Sequence, residues 1–189
     1  MQIFIHLINA LEEGNNCFLI HTVDTDVVIL CLGKFHDFAA SYPDFQLWIK
    51  FGSGSSQQMI HINSVYSTIG QTTARGLPFF HALTGCDTTS SFKGKGKKTA
   101  WQTWKGYQAI SPIFESLSQN PFADLSIDSP MFHQIQKFVM RMYSKNLETG
   151  NVNEGRKLLF GLNQNLEKIP PTEDALLQHV KRSVFQTGR

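Results

Sequence analysis

Apolar residues recur over the first dozen positions at Ile3, Phe4, Leu7, Ile8 and Leu11, the spacing of an amphipathic helix, and Gly14 with two asparagines stops it. The period then changes. Cys17 to Thr22 and Val27 to Leu32 are near-continuous apolar, β-branched runs without polar alternation, which predicts strands buried on both faces, as in a parallel sheet covered by helices. Residues 36–46, with Pro43, read as a loop, and Leu47 to Phe51 as a strand. Gly52-Ser53-Gly54-Ser55-Ser56 reads as a turn, and Met59 to Ile62 as the returning strand of an edge hairpin. Asn63 or Ser64 can cap a short helix through Ile69, and Leu77-Pro78 opens another that runs to Thr84 and Gly85. Beyond that the pattern is helical, near 98–106, 111–119, 129–146, 153–164 and 172–185, the last opened by Pro170-Pro171-Thr172 with Glu173 and Asp174 in its first turn. Strands first and helices afterwards predict an α/β fold with a mostly parallel central sheet flanked by helices. Its core spans 1–120, and a helical extension over 121–189 packs on the same domain.

A chain of 189 residues with 41% hydrophobic and 12% aromatic content has enough apolar surface for one domain with a sizeable core. A net charge of +2 and a pI near 8.4 are too mild to announce nucleic acid by themselves. Cys17, Cys31 and Cys86 lie far apart and form no Cys-x-x-Cys pair, which excludes a disulfide framework or a zinc knuckle and predicts reduced, buried thiols. The longest apolar runs are far shorter than a membrane span, and the first residues lack the pattern of a signal peptide. The expectation is an intracellular protein, nuclear or cytoplasmic, with no membrane partner.

The positive charge is concentrated between Leu77 and Lys105. Lys93, Lys95, Lys97 and Lys98 alternate with Gly94 and Gly96, and no acidic residue occurs from Thr88 to Phe114. Glycines let a backbone approach a ligand without a Cβ in the way, and N–H groups ahead of a helix favour anions, so this stretch reads as a phosphate grip. On the lysines alone, a solvated surface loop is an equal reading. Asp24 and Asp26 follow a predicted strand at a spacing that turns both carboxylates to one side, where ligands of open α/β sheets collect. With Asp87 as a third ligand they would hold Mg2+ or Mn2+ beside the grip, a layout for metal-assisted phosphodiester hydrolysis. Each aspartate can equally cap a helix or shape a turn. Gly-Lys-Gly-Lys-Lys-Thr lacks P-loop spacing, His81, Cys86 and Asp87 lack a second pair of zinc ligands, and Trp101 and Trp104 read as core anchors.

The ordered combination of VDTDVVIL and FHALTGCDTTSSFKGKGKKTAW resembles the second half of a flap-endonuclease-like 5′ nuclease domain of the PIN-like superfamily. In that family an Asp-x-Asp follows a core strand, a later helix ends in Gly-Ser-Asp or a close variant, and a helix–two-turn–helix with a Gly-x-Gly turn grips the duplex backbone. Asp24 and Asp26 match the first element, Gly85-Cys86-Asp87 the second, and Phe92 to Ala100, within a helix–two-turn–helix over about 85–106, the third. The resemblance implies catalysis and metal ligation by Asp24, Asp26 and Asp87. It also implies contact with the backbone of duplex or branched DNA by Gly94, Gly96 and the four lysines. The family's first metal-binding aspartate, its acidic helix start and its helical arch have no counterpart here, so a truncated or degenerate copy is expected. Such a copy would be a weak nuclease, or a non-catalytic nucleic-acid-binding or scaffold domain.

Overall fold

A computed structural model describes residues 2–145, 149–163 and 169–188 of the chain. Two compact units divide it between Pro78 and Phe79.

In the first unit, helix α1 (Gln2–Glu12) buries Phe4, Leu7 and Leu11, the apolar stripe expected of it. Strand β1 (Cys17–Thr22) pairs in parallel with β2 (Gln46–Phe51), and β2 pairs antiparallel with β3 (Gln58–His61) through the Gly52-to-Ser56 turn. Phe18 and Ile20 lie opposite Leu47 and Ile49 on the apolar face, where Phe45 meets the Phe18 and Phe35 rings at 5.7 Å. Leu19 and His21, on the other face, are exposed. The sheet is therefore half-buried, not covered on both sides. Only three strands occur among the described residues and only one pair is parallel, so a mostly parallel central sheet flanked by helices does not form.

The strand expected over Val27 to Leu32 is what fails. Those residues belong to helix α2 (Thr25–Ser41), which also takes up most of the expected loop over 36–46. Asp24 is extended and its side chain accepts the Asp26 N–H at 2.8 Å, while Thr22 Oγ1 accepts the Asp24 N–H at 3.0 Å. The capped start overrides a β-branched first turn, because the weak strand preference of Val27, Val28 and Ile29 is smaller than a satisfied helix end plus the burial of Cys31, Leu32 and Phe35. Gly33 lets this helix approach α4 (Gln71–Leu83): a Cβ on Gly33 would lie 2.6 Å from Cγ of Pro78. Helix α3 (Ile62–Ile69) precedes it, and Pro78 sits inside α4 instead of opening it.

The second unit is helical. It holds the end of α4, then α5 (Lys97–Gly106), α6 (Ser111–Gln119), α7 (Pro130–Tyr143), α8 (Val152–Asn163) and α9 (Glu173–Thr187). Each of these five matches a predicted helix to within three residues. Ser129 caps α7 and Thr172 caps α9, each accepting a backbone N–H of the first turn. The core is a chain of rings, with Trp104 against Phe80 and Phe114 at 4.9 Å and Phe114 against Phe138 at 5.1 Å. Trp104 is buried and donates its indole N–H to Ser111 Oγ at 2.8 Å, so it anchors the core as the spacing predicts. Among the described residues no helix is long and apolar enough to cross a membrane.

Candidate nucleic-acid interface

A helix leaves its last four carbonyls without partners, and at the end of α4 every one is answered by a residue further along the chain. Phe80 C=O accepts the Thr84 N–H at 3.0 Å and Thr84 Oγ1 at 2.7 Å. His81 C=O accepts Lys97 Nζ at 3.0 Å, and Ala82 C=O accepts Thr89 Oγ1 at 2.6 Å. Leu83 C=O accepts the imidazole Nε2–H of His179, from α9, at 2.8 Å. The same Lys97 ammonium also donates to Thr84 Oγ1 at 3.1 Å and to Gly85 C=O. A cation at a helix C-terminus is attracted by the negative end of the macrodipole, and three oxygens fix it in place.

Between the two helices the chain makes two successive tight turns. Cys86 and Thr89 exchange backbone hydrogen bonds at 3.2 and 3.3 Å around Asp87-Thr88. Phe92 and Lys95 close the second turn around Lys93-Gly94, with Lys95 N–H donating to Phe92 C=O at 3.0 Å. Gly94 has φ +69°, a left-handed position that suits glycine. Gly85 has φ +101° and is packed under the loop, because a Cβ there would lie 2.8 Å from Cβ and 2.9 Å from Cα of Ser91. Phe92 is buried and points its ring edge-on at His179. The loop is thus held from beneath by α4 and α9.

The six residues expected to touch phosphate divide into two groups. Lys97, though exposed, has its ammonium held on His81 C=O, Thr84 Oγ1 and Gly85 C=O, so its charge serves the loop. Lys93 and Lys98 are exposed, and Lys95 is half-buried with its ammonium 5.1 Å from the Tyr143 ring centroid. Gly94 and Gly96 are exposed, and Gly96 ends the loop as the N-cap of α5 with no side-chain cap hydrogen bond, at the helix end whose dipole favours an anion. Tyr143 braces the second turn by donating its hydroxyl to Lys93 C=O at 3.5 Å, and burial pushes that phenol up to about 12, with Arg156 working against the rise.

The three aspartates expected to carry metal are differently employed. Asp24 is the cap of α2, Asp26 lies in the first turn of that helix, and both belong to the first unit. Asp87 is exposed at the tip of the first turn in the second unit. Among the described residues no group of three or more His, Cys, Asp or Glu side chains is gathered closely enough to hold a metal ion. The thiols also differ from expectation: Cys31 is buried, and burial pushes it up to about 12, but Cys17 is exposed and Cys86 half-buried. Burial tends to raise the Cys86 thiol, yet its hydrogen bonding with Thr88 and Thr89 brings it below its usual value.

His179 is the functional support that the sequence pattern missed, because its signal is a histidine on an apolar helical face, where core packing is the ordinary reading. Burial holds its pKa below the usual 6.5, assisted by Arg182 and opposed by the hydrogen bond to Leu83. A histidine kept neutral in the fold takes up its proton more readily in the unfolded chain. The stability it contributes is therefore complete above the unfolded value and declines as pH falls through about 6.5 toward the folded pKa. Thermal melts between about pH 7.5 and about pH 5 should show a falling midpoint, with part of the fall removed in His179→Gln, whose amide can still donate to Leu83. Equal slopes in the two proteins would assign the loss to other groups.

Compared with protein-family models, with curated proteins and with solved structures, the chain matches none.

Proposed function

We propose that the second unit binds the phosphate backbone of nucleic acid, duplex DNA above all, without reading base sequence. The observation that carries this reading is the pair of tight turns between α4 and α5. They present Lys93, Lys95 and Lys98 with Gly94 and Gly96 on one short segment, in a stretch of sequence with no carboxylate from Thr88 to Phe114. The lysines supply charge, the glycines allow close backbone approach, and the start of α5 supplies N–H donors. Such contacts position a duplex but carry no base information. The resemblance of this segment to the helix–two-turn–helix of flap-endonuclease-like nucleases points the same way. The loop between α4 and α5 carries this reading by itself, so the function proposed is binding.

The test is equilibrium binding to two duplexes of unrelated sequence, using the wild type and Gly96→Val. Gly96 has φ −75° and ψ 171°, and a Cβ there would meet nothing within 4 Å, so valine fits the fold. The two duplexes should bind alike. Gly96→Val should bind more weakly at every salt concentration with an unchanged salt slope, since it holds the backbone off the phosphate and leaves the charge intact. A strong preference for one duplex, or a valine variant that binds like the parent, would contradict the reading.

A further inference from the structure

A cleft of about 350 Å3 lies beside the second turn, lined by Ser90, Ser91 and Lys93 of the loop, Tyr143 of α7, Arg156 of α8 and Arg182 of α9. Four separate elements thus bring three cationic side chains and three hydroxyls to one concavity, and no carboxylate is among the residues that line it. Ile169 and Phe92, both buried, give it apolar walls, which strengthen any charge interaction inside. Arg156 is oriented by donating Nη1–H to Pro170 C=O, which leaves the rest of its fork of donors for another acceptor.

We propose that this cleft is a phosphate subsite for the nucleic acid strand held by the loop, so that α8 and α9 extend the footprint beyond the two turns. The proposal rests on the backbone-binding reading above, because the cleft shares Lys93 with the loop. Phosphate is favoured over a carboxylate because three cations and the two serine hydroxyls exceed what two carboxylate oxygens can accept, whereas a phosphate group presents its oxygens in several directions. The phosphate can belong to an internal diester or to a 5′-terminal monoester.

Arg182→Gln tests it, since Arg182 is exposed on α9 and its replacement leaves the core intact. Binding of the full chain is measured against salt on three short duplexes: one with 5′-phosphates, one with 5′-hydroxyls, and one closed by hairpins at both ends. The variant should lose affinity several-fold and flatten the log–log salt slope by about one unit, and Arg182→Lys should restore the slope. A loss on all three substrates identifies an internal diester; a loss confined to the 5′-phosphorylated duplex identifies a terminal monoester. Both outcomes support the subsite. If Arg182→Gln binds every duplex like the parent while Lys95→Gln, in the loop but outside the cleft, binds more weakly, the subsite is overturned and the loop reading stands. If the wild type shows no salt-dependent binding to any of them, the loop reading falls and the subsite with it.

Discussion

Gly85→Ala should destabilise the second unit by roughly 2–5 kcal/mol, from left-handed strain together with overpacking, and should abolish duplex binding. The residue sits at φ +101°, and an added methyl would lie 2.8 Å from Cβ and 2.9 Å from Cα of Ser91. Backbone cannot yield there as a flexible side chain would, because the segment is fixed on one side by the Cys86–Thr89 turn and on the other by buried Phe92. Forcing the two apart would pull Lys97 from the carbonyls it caps. Gly94→Ala is the control, since φ is +69° but no atom lies within 4 Å of the added methyl, so the cost is only the left-handed conformation, about 1–2 kcal/mol. Urea unfolding of the two variants should separate them clearly; equal midpoints would mean that the loop is not held against α4 as described.

Replacing Lys93, Lys95 and Lys98 together by glutamine should lower affinity for duplex DNA on the order of tenfold to a hundredfold at low salt while leaving the melting temperature nearly unchanged. Lys93 and Lys98 are exposed and the ammonium of half-buried Lys95 lies 5.1 Å from the Tyr143 ring centroid, so the substitution removes charge that solvent screens. Lys97→Gln should behave in the opposite way. Its ammonium donates to His81, Thr84 and Gly85, and its loss leaves helix-end carbonyls without their partner, so the melt should fall before any change in electrostatics is felt. On the proposed reading, four neighbouring lysines in one short run divide into three for the ligand and one for the fold. Their order in the sequence gives no hint of that division.

The helices after residue 97 were legible because each rests on a local rule: a cap at Ser129 or Thr172, a proline in the first turn, and an apolar stripe at helical spacing. The edge hairpin was legible from its glycine–serine turn. Val27 to Leu32 misled because a β-branched run carries no sign of its secondary structure when the deciding contact is a cap one turn earlier, Asp24 to the Asp26 N–H. With that strand gone, the parallel sheet shrinks to one parallel pair. The two-turn loop was read correctly as a connection between helices, but its internal capping was not, since the partners of α4 carbonyls come from Thr89, Lys97 and, nearly a hundred residues on, His179. Arg156 and Arg182 were invisible as site residues for a related reason. They lie on separate helices, and only the packing of α8 and α9 beside the second turn brings them to one cleft.

The most direct test of backbone binding by the loop is the salt dependence of affinity for an arbitrary duplex, measured in parallel for the wild type and the Lys93, Lys95, Lys98 triple glutamine variant. Each phosphate neutralised on duplex DNA adds about 0.9 to the log–log slope, so contacts by two or three of these lysines predict a steep wild-type slope that flattens by about 2–3 units in the variant. A variant with the parent's affinity and the parent's slope would mean that the lysines only solvate the surface, and would contradict the account.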